Sequence, residues 1–224
     1  MFSSTYPSAA SVNQAMGRVY AYMGLATLVS MLVSYFVGND AQLMQTLFTG
    51  WRLWVVMLAP LAFIFVVPVM LNAGIGRLGG VIVLLAFAAL MGLSTSVFFA
   101  VYTMASIVSA FAGAAVLFGV MAFYGYFTKK DLDNLGKYMF MALIAIIIVS
   151  IINIFIGSTV MQMAISAVAV IVFMGLTAYD SQQIRESLMH GSDDAVEVMG
   201  ALTLYLDFIN LFINLLQLFG VKKD

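Results

Sequence analysis

The feature that most constrains this chain is a succession of long tracts that contain no charged residue. An α-helix needs about 20 apolar residues to cross the roughly 30 Å hydrocarbon core of a bilayer, and these tracts meet that length. The sequence therefore predicts seven membrane-spanning helices. Their expected positions are Val19 to Val37, one span between Arg52 and Arg77, two within Leu78 to Thr128 that turn near Tyr102 to Met104, two within Tyr138 to Tyr179 that turn near Ile156 to Thr159, and Met199 to Phe219.

The composition excludes several classes of protein. The 224 residues are 64% hydrophobic and 8% charged, far from the composition of a soluble domain. The net charge of -1 argues against a nucleic-acid partner, because phosphate binding requires clustered Lys and Arg. There is no cysteine, which excludes thiolate metal sites and cysteine nucleophiles. The tracts are continuous and do not alternate in polarity, so an all-α polytopic helix bundle is favoured over a β-barrel.

The expected organisation is a polar tail (1–18), a seven-helix membrane domain (19–220) and a short C-terminal tail (221–224). With seven spans the termini face opposite sides, and the distribution of Lys and Arg predicts the orientation. Of the 9 Lys and Arg residues, six fall on the amino-terminal side, which predicts a cytoplasmic amino terminus. The six are Arg18, Arg77, Lys129, Lys130, Lys137 and Arg185, and the remaining three are Arg52, Lys222 and Lys223.

The last predicted span carries a polar stripe along an otherwise apolar helix. Its members follow spacings of 4, 3, 4 and 3 residues, which places them on one helix face. Such a face is costly against lipid, so it should turn toward the bundle interior or a water-filled cavity. The amides act either as interhelical contacts or as the lining of a pathway. The stripe consists of Thr203, Asp207, Asn210, Asn214 and Gln217.

Asp207 has a plausible partner in Asp180, at the end of the sixth predicted span. Asp207 lies roughly 12 Å into its helix at 1.5 Å per residue, and with the predicted topology Asp180 enters from the same side. Two carboxylates in one desolvated site cannot both ionise cheaply, so they would share a proton. The sequence therefore predicts a pH-responsive latch that also has the oxygen ligands calcium prefers, although two carboxylates form an incomplete calcium shell.

Two further features complete the prediction. Pro60 and Pro68 each remove a backbone hydrogen bond from the second span, which makes that span the candidate mobile element or gate. Asp193, Asp194 and Glu197 precede the seventh span and are interpreted as a solvated, acidic helix start.

The pairing of "TAYDSQQI" (Thr177 to Ile184) with "LYLDFINLFINLL" (Leu204 to Leu216), in a seven-span chain of this length, resembles the transmembrane Bax inhibitor motif family in its bacterial branch. The resemblance implies a seven-helix fold with the seventh helix central. It also implies a pH-sensitive calcium leak governed by an aspartate pair, which maps to Asp180 and Asp207, in the bacterial inner membrane. Some relatives carry a basic cluster that pairs with the aspartates; here Arg77 is the possible counter-charge.

The leading hypothesis is thus a non-enzymatic, pH-gated calcium channel or leak, whose partners are the bilayer, calcium ions and protons. No cofactor is expected, with calcium as the permeant or bound ion. One alternative is a regulator that binds another membrane protein and transports nothing, and a proton-coupled transporter is a variant of the leak. The other alternative, an intramembrane aspartyl protease, is disfavoured because Leu204, Tyr205 and Leu206 replace the glycines expected before the second aspartate.

Overall fold

A computed structural model describes residues 8–191 and 193–223 of the chain. These residues form α-helices and no β-strand, and seven of the helical segments are long and apolar enough to cross a membrane. The protein is therefore an all-α, multi-pass membrane protein. The helices are α1 (Ala9–Gly38), α2 (Ala41–Leu47), α3 (Trp51–Asn72), α4 (Gly76–Thr95), α5 (Val97–Val101), α6 (Met104–Phe127), α7 (Asp133–Ile156), α8 (Thr159–His190) and α9 (Asp194–Phe219), with α4 and α5 together making the third span.

The predicted turns are found where the sequence placed them. Tyr102 and Thr103 separate the third and fourth spans. Gly157 ends α7 with φ of 69°, a left-handed conformation that glycine adopts without a steric penalty. The short helix α2 was not predicted; the Asp40 carboxylate caps it by accepting hydrogen bonds from the backbone amides of Gln42 and Leu43.

The first helix begins earlier than the sequence analysis expected. Ser8 caps α1 by accepting a hydrogen bond from the backbone amide of Ser11, and the helix starts at Ala9. Ala15 and Val19 are fully buried on it. The predicted polar tail of residues 1–18 is therefore helical from residue 9 onward, because apolar residues at helical spacing bury one face of this segment; residues 1–7 lie outside the described part of the chain.

The chain divides into two compact units. The first contains the residues up to Thr103, Ser187–Tyr205 and the C-terminal residues from Lys222. Within it α1 packs on α4, and Gly92 permits this close approach, since a Cβ there would lie 2.7 Å from the Ser30 carbonyl oxygen. The C-terminal tail is also fixed, because the Lys223 ammonium donates a hydrogen bond of 2.7 Å to the Phe99 carbonyl.

The second unit contains Met104–Glu186 and Leu206–Val221. Here α8 packs closely against α6 and α7 at two glycines, where a larger residue would clash with α8. A Cβ on Gly125 would collide with the backbone of Ala178, and one on Gly136 would lie 2.5 Å from the Tyr179 ring. The last span, Asp194–Phe219, is the most buried of the seven, at 67% of its apolar window, in agreement with the expected central seventh helix.

Candidate functional site

Asp180 and Asp207 come from α8 and α9 and meet inside the second unit. Their carboxyl groups lie close enough to interact with each other. A carboxylate carries no hydrogen to donate, so a hydrogen bond between the two groups would require a proton on one of them. The proximity of Asp180 and Asp207 was expected from the sequence, and their sharing of a proton stays a prediction.

The pair is desolvated. Asp207 is only 4% exposed, and its Oδ2 atom is buried without a hydrogen-bond partner, whereas Asp180 is half-buried. A buried carboxyl oxygen without a donor is costly to maintain unless a proton or a cation occupies it part of the time. The site therefore has spare capacity to bind a positively charged group.

Thr177 is a third member of the site that the sequence analysis did not single out. Its hydroxyl donates a hydrogen bond of 2.7 Å to the Phe173 carbonyl and also lies close enough to Asp207 to interact with it. One hydroxyl proton can serve only one of these acceptors at a time. The signal was available in the sequence, because Thr177 lies three residues before Asp180 and therefore on the same helix face.

Neighbouring helices hold both aspartates in place. Next to Asp180, the Ser181 hydroxyl donates a hydrogen bond of 2.9 Å to the Ala122 carbonyl of α6. Next to Asp207, the Phe208 ring makes edge-to-face contacts with Phe111 and Phe118 at centroid distances of 5.2 and 5.8 Å. These contacts fix α8 and α9 against α6. They therefore hold the two aspartates where they approach each other.

The remaining members of the polar stripe differ in their partners. The side-chain amides of Asn210 and Asn214 each donate to a carbonyl four residues earlier in α9, both at 2.8 Å. Gln217 instead accepts hydrogen bonds from α8, from Gln162 at 2.9 Å and from Ser166 at 2.8 Å. Except for Asp207, the stripe residues, including Thr203, are half-buried and none is fully exposed.

Arg77, the possible counter-charge of the aspartate pair, has acidic partners within the first unit. Its guanidinium lies 2.7 Å from Asp194 and 3.7 Å from Glu197. Glu197 also accepts two hydrogen bonds from Arg18, at 2.8 and 2.5 Å. The prediction of a solvated acidic helix start is wrong for Glu197, which is fully buried, because the two arginines neutralise its charge.

The prolines of the second span lie inside α3, with Pro60 buried and Pro68 half-buried. Both are therefore within the helix, where each lacks the amide hydrogen that an ordinary residue would donate. Their role as a gate stays a prediction. Among residues 8–191 and 193–223, no group of three or more His, Cys, Asp or Glu side chains is arranged to hold a metal ion.

Most of the chain is similar to known protein sequences. The family model described as "Inhibitor of apoptosis-promoting Bax1" matches residues 12–224. The protein belongs to the Bax inhibitor family. Among its relatives, the inner membrane protein YbhL of Escherichia coli K12 is 39% identical over 219 residues, which cover 93% of this chain and 92% of YbhL.

Two more distant bacterial relatives have the same extent. A protein of Rickettsia prowazekii is 34% identical over 214 residues, 92% of this chain and 89% of that protein. A protein of Deinococcus radiodurans is also 34% identical over 214 residues, 93% of this chain and 90% of its own. These Bax inhibitor family relatives thus match more than nine tenths of this chain.

Proposed function

We propose that this protein is a pH-sensitive, calcium-permeable leak of the bacterial inner membrane, gated by protonation of Asp180 and Asp207. The observation that carries the proposal is the desolvated carboxyl pair contributed by two membrane helices. Ionisable groups in membrane helices are costly and are characteristic of ion or proton pathways. Family membership supports the fold, and the name of the E. coli relative, an inner membrane protein, supports the location.

The direction of the pH response follows from proton sharing between the two carboxyl groups. While they share a proton, the hydrogen bond that it forms holds α8 and α9 together. When the pH rises and the proton leaves, two negative charges face each other at low effective dielectric and repel. The leak is therefore closed when the pair is protonated, and calcium flux increases with pH.

Calcium is the cation that fits this chemistry. Calcium takes oxygen ligands from carboxylates and from amide carbonyls, with bond lengths and geometry that tolerate variation. Asp207 supplies a carboxyl oxygen that has no hydrogen-bond partner, and Asn210, Asn214 and Gln217 continue along the same face of α9. Protons and calcium would compete for the carboxyl pair.

The proposal is tested by calcium flux into proteoliposomes that contain the purified protein, from about pH 5 to pH 8, the range in which a buried carboxyl pair can lose its shared proton. Wild-type flux is expected to rise with pH. Asp180→Asn and Asp207→Asn should each give a low flux that no longer varies with pH, because an amide cannot ionise and can still hydrogen-bond to the remaining carboxyl group.

Asp193→Asn is the matched control. This substitution removes an exposed carboxylate and should leave the pH profile unchanged. A pH-dependent wild-type flux that survives in both pair variants would contradict the assignment of the sensor. No flux at any pH in the wild type would contradict the leak itself.

We infer that the protein has no enzymatic activity. Leu204 and Tyr205, which precede Asp207, are fully buried. They therefore offer no surface to an extended substrate. Cleavage of a membrane peptide by the purified protein, abolished by Asp207→Asn, would overturn this inference.

A regulatory role is the second candidate function, and α7 favours it. Only 6% of the apolar window of this helix is buried, so most of its residues expose surface to lipid or to another membrane protein. For an apolar side chain, contact with lipid and contact with another membrane protein differ little in free energy. Co-purification of one stoichiometric membrane partner, together with an absence of ion flux, would support this function over the leak.

A further inference from the structure

A second polar cluster lies in the same unit as the aspartate pair, at the other end of the stripe. The Gln217 side-chain carbonyl accepts hydrogen bonds from Gln162 at 2.9 Å and from Ser166 at 2.8 Å. The Gln162 carbonyl in turn accepts from the Asn153 amide at 3.3 Å. Three helices therefore meet here, because Asn153 belongs to α7, Gln162 and Ser166 to α8, and Gln217 to α9.

The oxygens of the cluster are already occupied. Asn153 also fixes the turn after α7: its carbonyl accepts from the Ser158 amide at 3.2 Å, and its amide donates to the Ser158 carbonyl at 3.2 Å. Ser166 is fully buried and Asn153 is 6% exposed. A cation that entered here would have to displace hydrogen-bond donors from Gln217.

The cluster is far from the carboxyl pair along the helix. Gln217 lies ten residues after Asp207, about 15 Å at 1.5 Å per residue. Asn210 and Asn214 occupy the same face of α9 between them. None of the cluster side chains ionises in the physiological range, so protonation of the aspartates does not act on the cluster directly.

We propose that Gln217, Gln162, Ser166 and Asn153 form a second, uncharged barrier, here called the amide plug, that closes the pathway toward the carboxy-terminal side. This inference rests on the proposed leak, because it assigns the far end of the same pathway. The aspartate pair then sets the pH response, and the amide plug limits the flux at every pH. Opening of the pathway requires Gln217 to exchange two neutral hydrogen bonds for water or a cation.

The test uses the absence of cysteine from the natural chain. Asn214→Cys places a single thiol between the carboxyl pair and the plug. Its rate of labelling by a membrane-impermeant maleimide, added from the carboxy-terminal side of the membrane, reports access past Gln217. Gln217→Ala should raise that rate by about tenfold, the effect expected from the loss of two hydrogen bonds of ordinary net strength.

Three further substitutions serve as controls. Gln217→Glu retains acceptors for Gln162 and Ser166 and, while its carboxyl group is protonated, should leave the labelling rate unchanged. Ser166→Ala removes one of the two donors with little change of volume and should give an intermediate increase, even if Gln217→Ala does not fold. Phe219→Cys, on an exposed position beyond the plug, should label at the same rate in every background.

Equal labelling of the Asn214→Cys thiol in all backgrounds would overturn the amide plug. Calcium flux measured on the same variants separates this proposal from the leak. A Gln217→Ala flux raised at every pH, with an unchanged midpoint, supports both. Faster labelling without any calcium flux supports the plug and overturns the leak, whereas a pH-dependent wild-type flux with unchanged labelling overturns the plug alone.

Discussion

Glu197 is a carboxylate without access to solvent, and two arginines neutralise it. Arg18 forms two hydrogen bonds with it, and Arg77 lies 3.7 Å away and also contacts Asp194. A buried charge is tolerated only when it is paired and hydrogen-bonded, and removal of one partner leaves the other uncompensated. At the scale of single residues this ion-pair cluster joins α1, α4 and α9, which contribute Arg18, Arg77 and Glu197 in that order.

Removal of the buried carboxylate should destabilise the protein more than removal of its exposed neighbour. Glu197→Ala is expected to lower the free energy of unfolding by about 2 kcal/mol, because Arg18, which is partly exposed, loses its charge-assisted hydrogen bonds. Arg77→Ala should cost less than about 1 kcal/mol, since this side chain is 45% exposed and water replaces its contacts. Denaturation of the purified protein in mixed detergent micelles measures both.

The control for the first prediction is the double substitution Arg18→Leu with Glu197→Leu. Replacement of a whole buried ion pair by apolar side chains is often neutral, so the double variant should recover much of the lost stability. If Glu197→Ala and Arg77→Ala proved equally mild, the buried pair would contribute no more than a surface one.

At the scale of whole helices, α6 and α8 approach so closely that only glycine fits at one point of contact. A Cβ on Gly125 would collide with the backbone of Ala178, two residues before Asp180. In membranes such small-residue contacts replace the hydrophobic effect as the source of helix association. Helix packing at Gly125 therefore also sets where the aspartate of α8 lies.

Gly125→Ala should separate α8 from α6. The expected destabilisation is about 1 to 3 kcal/mol, the usual consequence of overpacking a close contact, and the calcium flux should lose its normal pH profile because Asp180 moves with α8. Thermal unfolding in detergent and the proteoliposome flux assay measure the two effects.

Gly119→Ala is the matched control on the same helix. A Cβ at Gly119 would meet nothing within 4 Å, so the substitution should be neutral or slightly stabilising, in line with the helix propensities of the two residues. Equal effects of the two substitutions would show that the close contact at Gly125 is unimportant.

At the scale of the whole molecule, seven candidate spans predict that the termini lie on opposite sides of the membrane. The excess of Lys and Arg on the amino-terminal side predicts which side is cytoplasmic. In the predicted orientation, the Asp180–Asp207 pair lies in the cytoplasmic half of the bilayer. We therefore expect the proposed leak to sense cytoplasmic pH and the amide plug to face the other side.

The orientation is tested by reporter fusions in bacterial cells. Alkaline phosphatase fused after the last residue should be active, because this enzyme folds only outside the cytoplasm, and a green fluorescent protein fused there should remain dark. The same reporters fused in the segment 128–132, between α6 and α7, should give the reverse pattern. Active phosphatase at both positions would contradict the predicted topology.

Much of this protein is fixed by local sequence. The seven spans follow from hydropathy summed over some 20 residues, which requires no knowledge of neighbouring helices. Turns such as the one at Gly157 follow from local backbone preferences. The polar face of α9 and the partnership of Asp180 with Asp207 were also predicted, because a carboxylate within an apolar helix needs a protein environment.

Other features depended on contacts between residues distant in the chain. Nothing near Glu197 indicates that Arg18, 179 positions away, makes its burial possible. The sequence around Gln217 does not indicate whether its side chain contacts water, lipid or Gln162, because an amide is compatible with all three. Hydropathy and helical spacing are properties of a single helix and can be read along the chain. The pairing of charges and amides depends on which helices approach each other, and only the tertiary structure decides which helices do so.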